Sequence, residues 1–155
     1  MSTPARFALE MNVRADQVER AVNRIVVLAG RAIAKEVIAT TPVDTSQALS
    51  NWIGSLGGPA SGTRPAVSSA TTPGATADTS GAATQSTVWA AISNRRTGQD
   101  LWISNNLPYI NDLNVGNIAP RLDPPPDRTP YPRFAERAMH FGSDEVVRNA
   151  RRIFK

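Results

Sequence analysis

The sequence predicts an α+β fold, and three features predict it. Each end of the chain carries a helical apolar period, two short strand patterns lie between them, and helices of unequal length separate those strands. The 155 residues are read as a single domain over 1–155, long enough to bury one modest core. Twelve prolines and ten glycines assign much of the remaining length to loops.

Asp16 to Ala39 reads as a long amphipathic helix. Val18, Val22, Ile25, Ala29, Ala32 or Ile33, and Val37 fall at spacings of three and four and form one apolar stripe. Asp16 and Glu19 have the spacing of a capping box, and Pro42 ends the helix by restricting the residue before it. Ala29, Gly30 and Ala34 are small enough to admit a neighbouring element closely. Asp44-Thr45-Ser46 is a second cap signal, leading into a helical turn through Leu49. Asn51 to Leu56 then reads as a strand.

Residues 59–83 contain almost no large apolar side chain and are expected to form a long flexible loop, because little buried surface offsets the entropy of ordering them. Thr84 to Asn94 reads as a helix with Val88, Trp89 and Ile92 on one side. Arg95 to Gln99 is a turn, and Asp100 to Ser104 a strand with inward and outward alternation. A short turn or helix follows, up to Gly116. Residues 119–132 hold six prolines and are expected to be extended and irregular. Phe134 to Phe154 is the final helix, which Gly142-Ser143 is expected to kink or divide.

Composition narrows the chemistry. With no cysteine, disulfides, thiolate catalysis and cysteine-ligated metals are excluded. No secretory leader pattern opens the chain, and the most apolar run, Ile25 to Ala34, is too short for a membrane span and carries Arg31. The net charge is +4, and the pI near 10.3 raises the question of nucleic acid. The densest basic cluster, Arg148, Arg151 and Arg152, falls late in a helix, where cations suit the dipole and form a solvated face. No aromatic residues interleave with it. Arginine also favours protein interfaces, and these three are the candidate interface residues.

No catalytic or metal-binding constellation emerges, and no cofactor is expected. His140 stands alone on a helix, Asp123 and Asp127 flank prolines, and Gly57-Gly58 and Gly62 lack the lysine and helix start of a phosphate loop. Two ordered segments stand out instead. Thr41-Pro42-Val43-Asp44-Thr45 is a helix exit followed by a cap, where Asp44 is expected to accept backbone hydrogen bonds and fix the corner, with Trp52 following on the next strand. Asn105-Asn106-Leu107-Pro108-Tyr109 ends a strand; its asparagines can satisfy loose backbone groups and Tyr109 can serve as an anchor.

In combination these segments resemble the tail-completion and neck (head–tail joining) proteins of long-tailed bacteriophages. The resemblance rests on Thr-Pro-Val-Asp-Thr, Asn51-Trp52 and Ser55-Leu56-Gly57, then on Ala90-Ala91-Ile92, Gly98-Gln99 and the run from Leu101 to Ile110, and covers roughly residues 15 to 116. Family members usually have glycine where Ser46 stands, and commonly an acidic residue just before the glycine that follows the Asn-Asn-x-Pro-Tyr run, where this chain has Asn114-Val115-Gly116. The resemblance implies two long helices packed on a small, mainly antiparallel sheet. It also implies a non-enzymatic virion protein of the neck or tail, assembled in the host cytoplasm. Its copies would form a cyclic homo-oligomer, a hexamer above all, between the head-connector proteins and the tail terminator or tube protein. It would touch channel DNA only passively and have no membrane partner. A tail terminator or other minor tail protein is the nearest alternative. A basic nucleic-acid-binding module is the alternative from another class.

Overall fold

Proline at the first helical position, followed by a run of good helix formers, starts the first helix twelve residues earlier than the Asp16 capping pattern predicts. In the computed structural model, which describes residues 3–67, 78–116 and 133–153, α1 spans Pro4–Thr40. Its 37 residues make it about 55 Å long. Asp16 and Glu19 therefore lie inside the helix, where their capping box has no role. At the other end Thr41 turns extended just ahead of Pro42, as the proline demands.

The remaining elements are short until the last. They are α2 (Gln47–Ser50), β1 (Ile53–Leu56), α3 (Ala82–Ser93), β2 (Leu101–Ser104), α4 (Ile110–Val115) and α5 (Phe134–Ile153). Asn51 and Trp52 precede the strand rather than open it, and α3 begins two residues before Thr84. β1 and β2 pair antiparallel, Ile53 opposite Ser104 and Leu56 opposite Leu101, and Gly57 N–H donates to Asp100 O at 2.9 Å just beyond the last pair. The fold is α+β, with five helices and a two-stranded antiparallel sheet among the described residues.

Small residues set where the layers meet. A side chain at Gly30 of α1 would strike Leu101 of β2, and one at Gly54 of β1 would crowd Val88 of α3. A side chain at Gly142 of α5 would run into Ile33 of α1. That glycine does not divide the last helix, which runs unbroken from Phe134 to Ile153. It marks the closest approach of two helices. Phe134 lies beside Trp52 near the end of α1, whereas Gly142 meets Ala29 and Ile33, so α5 runs back antiparallel along α1.

The core gathers Ala34, Val37 and Ile38 of α1, Leu49 of α2, Val88 and Ile92 of α3, and Phe134 and Ala138 of α5, with Trp52, Leu107 and Leu113. Trp89 is half-buried. Its indole N–H reaches Arg31 O at 3.3 Å while the Arg31 guanidinium lies over its ring.

The described parts of the segment 59–83 are held more closely than its composition predicts. Residues 82 and 83 belong to α3, and 59–67 and 78–81 are tied to the core by hydrogen bonds described below. Residues 68–77, the proline-rich 119–132 and Phe154 lie outside the described residues.

Because the α1–α5 contact leaves no room at residue 142, Gly142→Leu is expected to lower stability by about 2 kcal/mol, overpacking outweighing the gain in helix propensity. A thermal melt with unchanged or raised Tm would show that the helices are not in close contact there.

Candidate functional site

The corner after α1 is built on one hydroxyl. Thr41 Oγ1 donates to Val37 O at 2.5 Å, one turn back, and accepts the indole N–H of Trp52 at 2.8 Å. Both residues are buried. The Trp52 ring in turn meets Phe134 edge-to-face, centroids 6.2 Å apart and planes at 89°. One threonine thus connects the end of α1, the approach to β1 and the first turn of α5. Val43 packs on the rim of this core, and Pro42 and Thr45 are half-buried on either side of it.

Asp44 does not cap α2. The turn is made two residues later, at Ser46, which precedes the helix with φ +63°, in the left-handed region, and makes no side-chain bond to the helix. Its hydroxyl instead donates to Asp78 O at 3.1 Å, across 32 residues. Ser46 is 1% exposed, and a buried non-glycine residue in this region carries local strain. Glycine would adopt the same conformation freely. With the turn at Ser46, Asp44 is aimed elsewhere. Its Oδ1 is buried without a hydrogen-bond partner, and the carboxylate lies near Tyr109. Burial, and then the charge of Asp44, push the Tyr109 phenol above its ordinary pKa.

The second segment docks onto the first. Asn105 Nδ2 donates to Ala48 O at 2.8 Å, joining the end of β2 to α2, and its Oδ1 accepts Leu107 N–H. Asn106 Nδ2 donates to Ala60 O and Gly62 O, at 2.8 and 2.9 Å. Tyr109 is half-buried against the core and its carbonyl starts α4, while Pro108 is exposed.

Sequence reasoning missed three residues of this assembly. Asn51, fully buried, binds Arg64 in both directions: Nδ2 to O at 2.9 Å, and Oδ1 from N–H at 2.7 Å. Ser50 Oγ accepts Val67 N–H at 3.0 Å. Asn114 takes the place of a cap for α5, its Oδ1 accepting Ala135 N–H and its Nδ2 donating to Glu136 Oε2 at 2.9 Å. The bond from Asn114 holds the Glu136 carboxyl below its usual range, and the charge suits the positive end of α5. Nothing in the local pattern marks these polar residues, because their partners lie 13 to 22 positions away.

Arg148, Arg151 and Arg152 are exposed, remote from the corner, in the last turns of α5. Arg148 is engaged locally, bridging Glu145 at 2.6 Å and lying over Phe141. His140 is exposed on the same helix. Among the described residues no three His, Asp or Glu side chains are placed to hold a metal ion, and no helix is long and apolar enough to cross a membrane.

Two substitutions separate these roles. Ser46→Gly should keep or raise Tm, whereas Ser46→Val, β-branched and buried at positive φ, should cost about 2 kcal/mol. Asp44→Asn should alter stability by no more than about 0.5 kcal/mol, since no hydrogen bond is lost, and should bring the Tyr109 phenol down in an absorbance titration. A large loss of stability would mean that the carboxylate supports the corner after all. No protein-family model, no curated protein and no solved structure matches this chain.

Proposed function

We propose that the chain is a structural, non-enzymatic subunit of a tailed-bacteriophage virion, a neck or tail-completion protein whose copies close into a ring joining the tail to the head connector. One observation carries the reading. The two segments on which the family resemblance rests, more than fifty residues apart in sequence, form a single corner. Asn105 holds α2, Asp44 lies beside Tyr109, and the left-handed backbone falls on the position where the family usually has glycine. A motif built to hold a corner, with most of its polar side chains tied to backbone or to the core, is the kind that shapes a subunit. It leaves no convergent set of polar atoms for catalysis.

In this role the fold is a rigid body with heterologous contacts on its flanks, and a rotation that closes gives a cyclic ring around the channel. A hexamer is the subunit count the family implies. The head-connector proteins on one side and the tail terminator or tube protein on the other would be its partners. By the resemblance, the basic balance of the chain would meet DNA only in passing.

Deleting the gene from a phage that carries it is expected to yield filled heads and finished tails that fail to join, with attachment restored by the intact chain. Infectious particles formed without the chain would overturn the reading. Tails of uncontrolled length would assign the chain to the terminator instead. Tight, salt-sensitive binding of the purified protein to DNA would favour the nucleic-acid module.

A further inference from the structure

The N-terminal half of α1 leaves the body of the protein. Every residue from Thr3 to Arg20 is exposed, and burial begins only at Ala21. Yet this arm is not polar all round, as an isolated solvent-exposed helix would be. Met11, Ala15, Val18 and Val22 are spaced alternately four and three residues apart, and the same alternation continues through Ile25 to Ala29, which α5 covers at Gly142. The buried seam of the helix pair therefore runs on uncovered. Met11 is 48%, Val18 53% and Val22 46% exposed.

Spacing of four and three is the heptad period of a coiled coil, and the charges beside the seam indicate what covers it. Arg14 flanks one side, just before Ala15, and Glu19 flanks the other, just after Val18. Neither has a hydrogen-bond or ion-pair partner among the described residues, while Arg6 and Glu10, further round the helix, pair with each other at 3.2 Å. In a parallel, in-register pair of identical helices, the residue before one core position faces the residue five places on in the partner. Arg14 of each copy would then meet Glu19 of the other. In an antiparallel pair like flanks would face each other, and neither charge would find its opposite. Ala15 on the seam lets the two backbones approach closely.

We propose that the arm of α1 pairs in parallel with the arm of a second copy of this chain, along the seam of Met11, Ala15, Val18 and Val22. The two Arg14–Glu19 pairs set direction and register rather than strength, since exposed ion pairs contribute little. The seam is short, so the pairing is weak in isolation and concentration-dependent. It stands on the helix surface alone and does not depend on any place in a virion. Because each copy presents the same seam, the pair is two-fold and isologous, a contact separate from the heterologous ones that close a ring.

The absence of cysteine makes disulfide trapping clean. Met11→Cys and Val18→Cys are each expected to cross-link to their own equivalent under mild oxidation of the full-length protein, giving covalent dimers on a denaturing gel. Leu9→Cys, exposed on the opposite face of the arm, should cross-link several-fold more slowly, and far-UV circular dichroism checks that every variant keeps its helices. Adding Arg14→Glu or Glu19→Arg to Val18→Cys should slow trapping several-fold, and adding both should restore it. Trapping only in a mixture of Met11→Cys with Val22→Cys would mean antiparallel pairing and overturn the proposal. So would trapping no faster than that of Leu9→Cys, a response indifferent to the charge swap, or no covalent dimer up to the solubility limit.

Discussion

The hydroxyl of Thr41 is the point on which the rest of the structure depends. It is buried, it donates to the turn of α1 before it, and it accepts the indole N–H of Trp52. A buried indole N–H without an acceptor costs about 1–3 kcal/mol, so the tryptophan is held in one place and one orientation. Phe134 then meets the edge of that ring, which fixes where α5 begins and in which direction it lies on α1. From that start the helix must pass Ile33 about two turns later, and only glycine at position 142 lets it do so. The relation of three elements follows from one side chain with a donor and an acceptor to place.

A second set of constraints is polar and lies between the loops. Asn51 is fully buried and uses both ends of its amide, on Gln47 O and on the backbone of Arg64. Ser50, Ser46 and Asn106 act on Val67, Asp78 and the 60–62 turn in the same manner. Segments with hardly any apolar side chain are thereby ordered through their main chain. The entropy of fixing them is offset by bonds to side chains that would otherwise be buried unsatisfied. In the corner Asp44 departs from this, since Oδ1 is buried near Tyr109 without a hydrogen-bond partner, as are Thr84 Oγ1 and Ser104 Oγ elsewhere, each a local cost.

These constraints leave the body of the protein well specified and the first half of α1 outside it. A helix of this length carried away from its own core keeps its shape through residues of good helix propensity. Its apolar seam, Met11, Val18 and Val22, stays exposed, and contiguous exposed apolar surface usually marks an interaction site.

The sequence by itself determined the elements. Apolar spacing in Val18 to Val37 and in Phe134 to Ile153, the proline after Thr41 and the alternation of Leu101 to Ser104 are local signals, and each gave a helix, a stop or a strand where it stands. It marked Thr41, Trp52, Asn105, Asn106 and Tyr109 as corner and anchor residues for the same reason: their types have few uses other than fixing backbone. What the tertiary structure decided is which atoms they bind. The early start of α1 was hidden behind a capping pattern that a proline and a run of helix formers outweighed. The role of Gly142 was hidden because a glycine in a helix reads as a break until Ile33 stands opposite it. Asp44 and Ser46 exchanged roles because a left-handed turn depends on where the chain must go next, and that is set by Asp78, 32 residues on. Local periodicity reports a residue's neighbours within a turn or a strand pair. Bonds closed across 13 to 57 residues, such as those of Asn51 and Asn105, exist only once the core has brought their ends together.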